Sequence, residues 1–238
     1  MKKTISVLVT MLLGLMGTYA WAGSAREDTV DRLQMSVEVL HAIMNTPDKG
    51  IPEEVLSNAK CIVVVPHLVK GGFIFGAKHG RGVASCRTSD GWSAPAFVSV
   101  GGGSWGLQIG VEGVDLVMLV MNEQGFQHLL ADKFQLSGEG SAAAGPVGRH
   151  ASAGTDWKMN TEVLTYSRSK GLFAGLTLEG AVVEQDNDST RAIYGKRMSF
   201  RTILSGKATA PRSTEAFMEA VSHAGHKAAV AEAREDKK

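Results

Sequence analysis

Three things are scarce in this sequence: an excess of one charge sign, cysteine, and long apolar runs. Its 238 residues carry 25 Lys and Arg against 24 Asp and Glu, so it lacks the basic excess of a dedicated nucleic-acid binder, and no nucleic-acid partner is expected. Only two cysteines are present, with no CxxC pair, so no zinc site is expected. Beyond residue 22 no apolar stretch approaches the ~20 residues of a membrane span, and Leu116–Met121 reads as a short buried strand. Neither a Walker A sequence nor a dinucleotide glycine triplet between strand and helix is found. Glycine, by contrast, is abundant: 28 residues, well above the roughly 7% of average proteins. With 44% hydrophobic and 21% charged residues, the chain is globular and global disorder is excluded.

The first 22 residues read as a signal peptide. Lys2 and Lys3 precede an apolar run from Ile5 to Met16, and Ala20-Trp21-Ala22 supplies the small-x-small cleavage pattern. A retained anchor is the competing reading, but the run is short for a span, and no cysteine near the cut supports a lipoprotein. Removing Lys2 and Lys3 leaves 23 bases against 24 acids, a net charge of −1. The expected location is therefore outside the cytoplasm, periplasmic or peripherally associated with an envelope membrane. In that oxidising setting Cys61 and Cys86 form a candidate disulfide, worth about 3 kcal/mol if closed. The alternative is two small buried hydrophobes.

The patterning predicts an α+β fold, mainly antiparallel β-sheet with packed N-terminal, middle and C-terminal helices. Val30, Leu33, Val37, Leu40 and Met44 form one helical stripe. Pro52 opens a short helix to Ala59. Ile62–Val65 is a β-branched strand closed by Pro66, and Gly71–Lys78, Val83–Arg87 and Pro95–Val100 are expected as further strands, with a turn at Asp90-Gly91. Within Gly101–Met121, Trp105, Leu107, Ile109 and Val111 alternate with Gly106, Gln108, Gly110 and Glu112 at a period of two, one face stripped of bulk, and Val114–Met121 continues as a strand. Asn122 is expected to cap a helix carrying Phe126, Leu129, Leu130 and Phe134. Residues 137–154 read as a small-residue loop, followed by strands over Glu162–Arg168 and Leu172–Val183, a turn at Asp186–Asp188 and a helix over Ser189–Lys196. The expected division is a domain over 23–210 and a C-terminal helix and charged tail over 211–238. That helix, from Thr214 to about Arg234, has a seam of Phe217, Ala220, Val221, Ala224, Ala228 and Ala231. Lys70-Gly71-Gly72-Phe73 and Lys170-Gly171-Leu172-Phe173 echo one another as two similarly built hairpins.

Several ordered motifs together resemble the SYLF domain family. They are Cys61-Ile-Val-Val-Val-Pro66, Lys70-Gly-Gly-Phe-Ile-Phe-Gly76, Gly91-Trp-Ser-Ala-Pro-Ala-Phe97, Gly101-Gly-Gly-Ser-Trp-Gly-Leu-Gln-Ile-Gly110 and Tyr166-Ser-Arg-Ser-Lys-Gly-Leu-Phe-Ala-Gly175. The likeness runs from about Val30 to Leu204. Eukaryotic members of that family are associated with phosphoinositide membranes and the actin cytoskeleton, and bacterial members with export and lipid. The resemblance therefore implies a non-catalytic module that binds anionic phospholipid at a membrane surface through a basic, glycine-rich face. For an exported chain, phosphatidylglycerol, cardiolipin or lipid A phosphates are the expected headgroups. An envelope structural or interaction protein with a protein partner is the alternative.

The charge pattern fits a membrane surface. No acid lies between Glu54 and Asp90 or between Asp188 and Glu215, while five and six Lys or Arg respectively do. Each base held near an anionic bilayer is worth about 1 kcal/mol. Lys70, Lys78, Arg81, Arg168, Lys170, Lys196, Arg197 and Arg201 are the candidate lipid contacts, and Phe73, Trp105 and Phe173 the candidate membrane contacts. The Arg26–Met44 helix, with four acids and two bases, is a poor match to an anionic surface. Two other chemistries are weighed and set aside. Gly102-Gly-Ser104-Trp-Gly106 fits G-x-S-x-G, but strand rather than helix is expected after it, so Ser104 is not expected to be a nucleophile. Glu219, His223 and His226 share a helical face, but no fourth ligand is evident. No catalytic residue, metal or cofactor is expected.

Overall fold

The computed structural model describes residues 24–42, 44–45, 50–72, 75–105, 110–131, 133–136, 142–147, 161–169, 172–175, 178 and 180–235. The expected signal peptide lies outside them. Helix α1 spans residues 24–42, with Leu33, Val37 and Leu40 buried and Glu27, Asp28, Asp31 and Glu38 exposed. α2 (Glu53–Asn58) follows, then strands β1 (Cys61–Gly72), β2 (Phe75–Thr88), β3 (Gly91–Trp92), β4 (Ala96–Trp105) and β5 (Gly110–Val120). After α3 (Glu123–Leu129) come β6 (Lys133–Gln135), β7 (Ala142–Ala144), β8 (Val163–Ser169), β9 (Leu172–Gly175) and β10 (Val182–Gln185). The chain ends with α4 (Asn187–Tyr194), α5 (Phe200–Thr202) running into a π-turn over Ile203–Lys207, and α6 (Glu215–Glu235). No helix among the described residues is long and apolar enough to cross a membrane.

The fold is α+β, as the patterning predicts. The sheet order is β6-β10-β4-β2-β1-β5-β8-β7, with β9 also on β8 and β3 on β2. Described pairings are antiparallel except β7–β8. The hairpin β1–β2 sits between β4 and β5, so Trp105 pairs with Phe75 and Gly110 with Gly72 at one common end. That end is called the tip.

The sheet is buried on both faces away from the tip. One face packs Ile62, Val64, Val83, Phe97, Val117 and Leu119 beneath α1, α2 and α6. The other packs Val63, Val65, Val98, Leu116, Met118 and Val120 against Leu129, Phe200, Ile203 and Leu204. Two covered faces explain why Ile62–Val65 is an unbroken apolar run rather than an alternating one. Phe217, Ala220, Val221 and Ala224 of α6 are buried in the first core.

Cys61 and Cys86 face each other across β1 and β2, their sulfurs 2.05 Å apart, at disulfide distance. Asn122 caps α3, its Oδ1 accepting from the Gly125 amide at 2.9 Å. Four expectations need correction. Pro66 does not close β1. One extra β1 residue opposes both neighbours between Val64 and Val69, a bulge that accommodates the residue lacking an N–H. Gly71–Lys78 is not one strand, because Gly72 pairs back onto Gly76 and the chain reverses. Phe134 lies in β6, beyond the end of α3, because the backbone there pairs with Val183 of β10. Leu172–Val183 is divided into β9 and β10, with Gly180 at φ 72 between them, a left-handed conformation that suits glycine.

Candidate functional site

The tip half of the sheet is where glycine, lysine and exposure coincide. Alternation along the strands and the two cores assign each residue there to a face. The face continuous with the second core carries the cross-strand row Gly102–Lys78–Lys70–Glu112. Lys70 and Lys78 are directly opposed and half-buried, a pairing that ordinarily destabilises a sheet. Burial pushes both ammoniums below the usual lysine range. For Lys70 the Glu112 carboxylate opposes the effect, and for Lys78 the neighbouring Lys70 charge adds to it. Ser169 donates to Glu112 at 3.3 Å. Gly102 has a packing reason to lack a side chain: a Cβ would lie 3.1 Å from the Gly180 carbonyl oxygen and 3.2 Å from Lys78 Cε.

The opposite face of the tip half carries Arg81, His79, Val69 and Asp115, with Ala77 and several glycines between them. The β1 bulge shapes this face. His67 has φ 52, and its amide donates to Asp115 Oδ1 at 3.1 Å. Arg168 Nε and Nη2 both donate to Asp115 Oδ2, at 2.9 and 2.6 Å, so one carboxylate ties β8 to the bulge. Gly80 and Gly82 let β2 pass close to the bulge. A Cβ on Gly82 would stand 2.3 Å from the Val64 carbonyl oxygen, and one on Gly80 would stand 2.7 Å from Val65 Cγ1.

The predicted contact residues are dispersed. Lys70 and Lys78 are adjacent on one face. Arg81 is on the other, 3.8 Å from Asp186. Arg168 is ion-paired with Asp115. Lys196, Arg197 and Arg201 are exposed on the segment anchored where Tyr194 donates to the Pro95 carbonyl and Phe200 to Gln185, several residues along the sheet from the tip. Of the other bases in the first acid-free window, Lys60 pairs with Glu123 at 3.0 Å. Arg87 donates to the Ala59 carbonyl and lies 4.6 Å from the Trp92 ring. Lys170, Phe73 and the side chains of Trp105 and Phe173 lie outside the described residues. Ser104 is within β4, opposite Gly76. Among the described residues no group of three His, Cys, Asp or Glu is placed to hold a metal ion.

One cluster was not legible in the sequence. Asp186, at the start of α4, accepts from Arg32 Nη1 at 3.2 Å, from the Ser189 amide at 3.0 Å and from the Ser189 hydroxyl at 2.7 Å. Burial raises its pKa, but the Ser189 bonds and the two guanidiniums prevail and hold the carboxyl below the ordinary aspartate range. The only cue in the sequence was Asp186 three residues before Ser189, an N-cap spacing. Nothing pointed to Arg32, 154 residues away.

Fold and surface together define an α+β domain whose nested hairpins present lysines and bare glycine backbone at one end. The chain belongs to the SYLF family: the family described as "Ysc84: Las17-binding protein actin regulator" matches residues 101–224. It is 37% identical over 69% of its length to an SH3 domain-containing protein of Schizosaccharomyces pombe, covering 39% of that protein. It is 34% identical over 72% of its length to protein YSC84 of Saccharomyces cerevisiae, covering 37% of it. To the human SH3 domain-containing YSC84-like protein 1 it is 32% identical over 74% of its length, covering 52% of that protein. The chain thus spans between about two fifths and about half of these relatives. The family description is that of a binding protein and regulator.

Proposed function

We propose that this domain binds anionic phospholipid at a membrane surface without catalysis, with Lys70 and Lys78 as the headgroup contact. The observation that carries the reading is the direct opposition of these two half-buried lysines. Two lysines on directly opposed strand positions gain from a phosphate within reach of both, which offsets the repulsion between their charges and accepts charge-assisted hydrogen bonds. The glycine-rich strands around them let a headgroup approach the backbone. Lys196, Arg197 and Arg201 add long-range attraction rather than direct contact.

The same proposal places the protein outside the cytoplasm. Residues 1–22 act as a cleaved leader, and the apposed Cys61 and Cys86 close in the oxidising compartment. Sequencing the N-terminus of the secreted protein tests this; a chain still beginning at Met1 contradicts it.

A second reading is favoured by the comparisons, since the family description and the name of one yeast relative, LAS seventeen-binding protein 3, specify Las17 binding. A protein partner at the same end follows from that. The chain matches about half or less of each relative, so their partner is not assigned to the matched part. Co-sedimentation with vesicles of rising phosphatidylglycerol content separates the readings. Binding that grows with anionic lipid and fades with salt is expected. Indifference to headgroup charge transfers the site to a protein partner.

A further inference from the structure

Glu112 is out of place in a site for anions. It lies directly opposite Lys70, in the same cross-strand row as Lys78, and it is exposed. Its charge reaches Lys70, where it opposes the effect of burial on that ammonium. Its hydrogen bond, however, is to the Ser169 hydroxyl, at 3.3 Å. In a site that only attracted phosphate, a carboxylate one strand spacing (~4.8 Å) from Lys70 would lower affinity by repelling the ligand. A carboxylate at that position calls for a ligand that uses it.

The surroundings of Glu112 suit a neutral donor. An ionised carboxylate can accept at about four positions, and the Ser169 bond uses one of them, on Oε1. Ser169 is the last residue of β8, on the strand beyond β5, so this bond holds the carboxylate from the side away from Lys70. Along the row two cationic positions are followed by one acceptor, each a strand apart. A headgroup laid along it places its phosphate at Lys78 and Lys70 and whatever follows the phosphate at Glu112. A second anionic group there would be repelled by Glu112, and an ammonium would have to enter beside two others. A hydroxyl meets neither obstacle, and its hydrogen bond to an ionised acceptor is of the stronger, charge-assisted kind.

We propose that Glu112 selects the headgroup: the site takes a phosphodiester lipid that carries a hydroxyl beyond its phosphate, as phosphatidylglycerol does, and Glu112 accepts the hydrogen bond of that hydroxyl. This rests on the anionic-lipid reading above and deepens it from charge to headgroup chemistry. Lys70 and Lys78 attract any lipid phosphate. Glu112 weakens that attraction for every headgroup except those whose hydroxyl offsets the repulsion with a bond, and the difference between the two cases is the specificity.

The test uses the full chain and phosphatidylcholine vesicles carrying equal fractions of either phosphatidylglycerol or phosphatidylmethanol. Both are phosphodiesters with a single negative charge, and only the first has headgroup hydroxyls. The wild type is expected to bind the phosphatidylglycerol vesicles about threefold more tightly or better, the worth of one net hydrogen bond. In Glu112→Ala the two affinities should become equal, and phosphatidylmethanol should bind more tightly than it does to the wild type, because the repulsion is gone. Glu112→Gln keeps the side chain's shape and one acceptor oxygen, so its fold is not in question; its preference should shrink and its affinity for phosphatidylmethanol should rise. A wild type that binds both vesicles equally overturns the proposal. So does a preference that survives undiminished in both variants, which would reduce Glu112 to a charge. Binding to neither vesicle overturns the broader reading with it.

Discussion

Replacing Asp186 with alanine is expected to cost more than any surface substitution, because the side chain performs two tasks at once. It caps α4 through the Ser189 amide, and loss of an N-cap costs about 1 kcal/mol. It also pairs with Arg32, both side chains being 7% exposed. Breaking a buried pair from one side leaves the other charge uncompensated, at about 3–5 kcal/mol. The sum is about 4–6 kcal/mol, against a total of about 5–15 for a domain. With a urea slope of about 2 kcal/mol/M, the midpoint should fall by about 2–3 M. A double variant, Arg32→Met with Asp186→Ala, should recover a large part of that loss, because no charge is then stranded. The same carboxyl gives acid sensitivity. Its folded pKa lies below the ordinary value, so its contribution is complete above about pH 4 and is lost as pH falls through the lower folded value. Urea melts of the single and double variants at neutral pH and along an acid series measure all of this. A single-variant loss under 1 kcal/mol, or a double variant as unstable as the sum of the singles, would refute the reasoning.

Two further outcomes follow from the same geometry. Gly82→Ala drives a Cβ to 2.3 Å from the Val64 carbonyl oxygen, and overpacking of this kind should destabilise by about 1–3 kcal/mol in thermal or urea melts. A neutral result would mean that the close passage of β2 over the bulge is not as tight as described. The apposed cysteines enclose a 25-residue separation, so melts of the oxidised protein with and without reductant should differ by about 3 kcal/mol, with no change on adding reductant to Cys61→Ser.

Local signals carried much of the fold. The Ile62–Val65 run announced a strand, and Asn122 announced the start of α3. The cysteines' places near strand ends anticipated their apposition. What failed depended on non-local partners. Pro66 reads as a stop unless a bulge is known to absorb it, and the bulge exists because β2 and β5 pair past it. The β7–β8 parallel pairing rests on three alanines with no pattern of their own. The site was legible in kind rather than in place. Glycine content drew attention to the strands of the tip, yet Gly82 and Gly102 are required by packing while Gly103 and Gly113 have no close neighbour among the described residues, a distinction made by neighbours distant in sequence. Charge counting likewise grouped Lys60, Lys70, Lys78 and Arg87, which the strands set at two ends of the sheet because β1 and β2 are long.

The central claim is that the opposed lysines at the tip, rather than the domain's cations in general, engage the anionic surface. Vesicle affinities of Lys78→Glu and Lys60→Glu, measured side by side at one salt concentration, test it most directly. Reversal at Lys78 removes one attraction and adds one repulsion, about 2 kcal/mol, so binding should weaken about thirtyfold, while Lys60→Glu should stay within about threefold of wild type. Equal losses in the two variants would contradict the account.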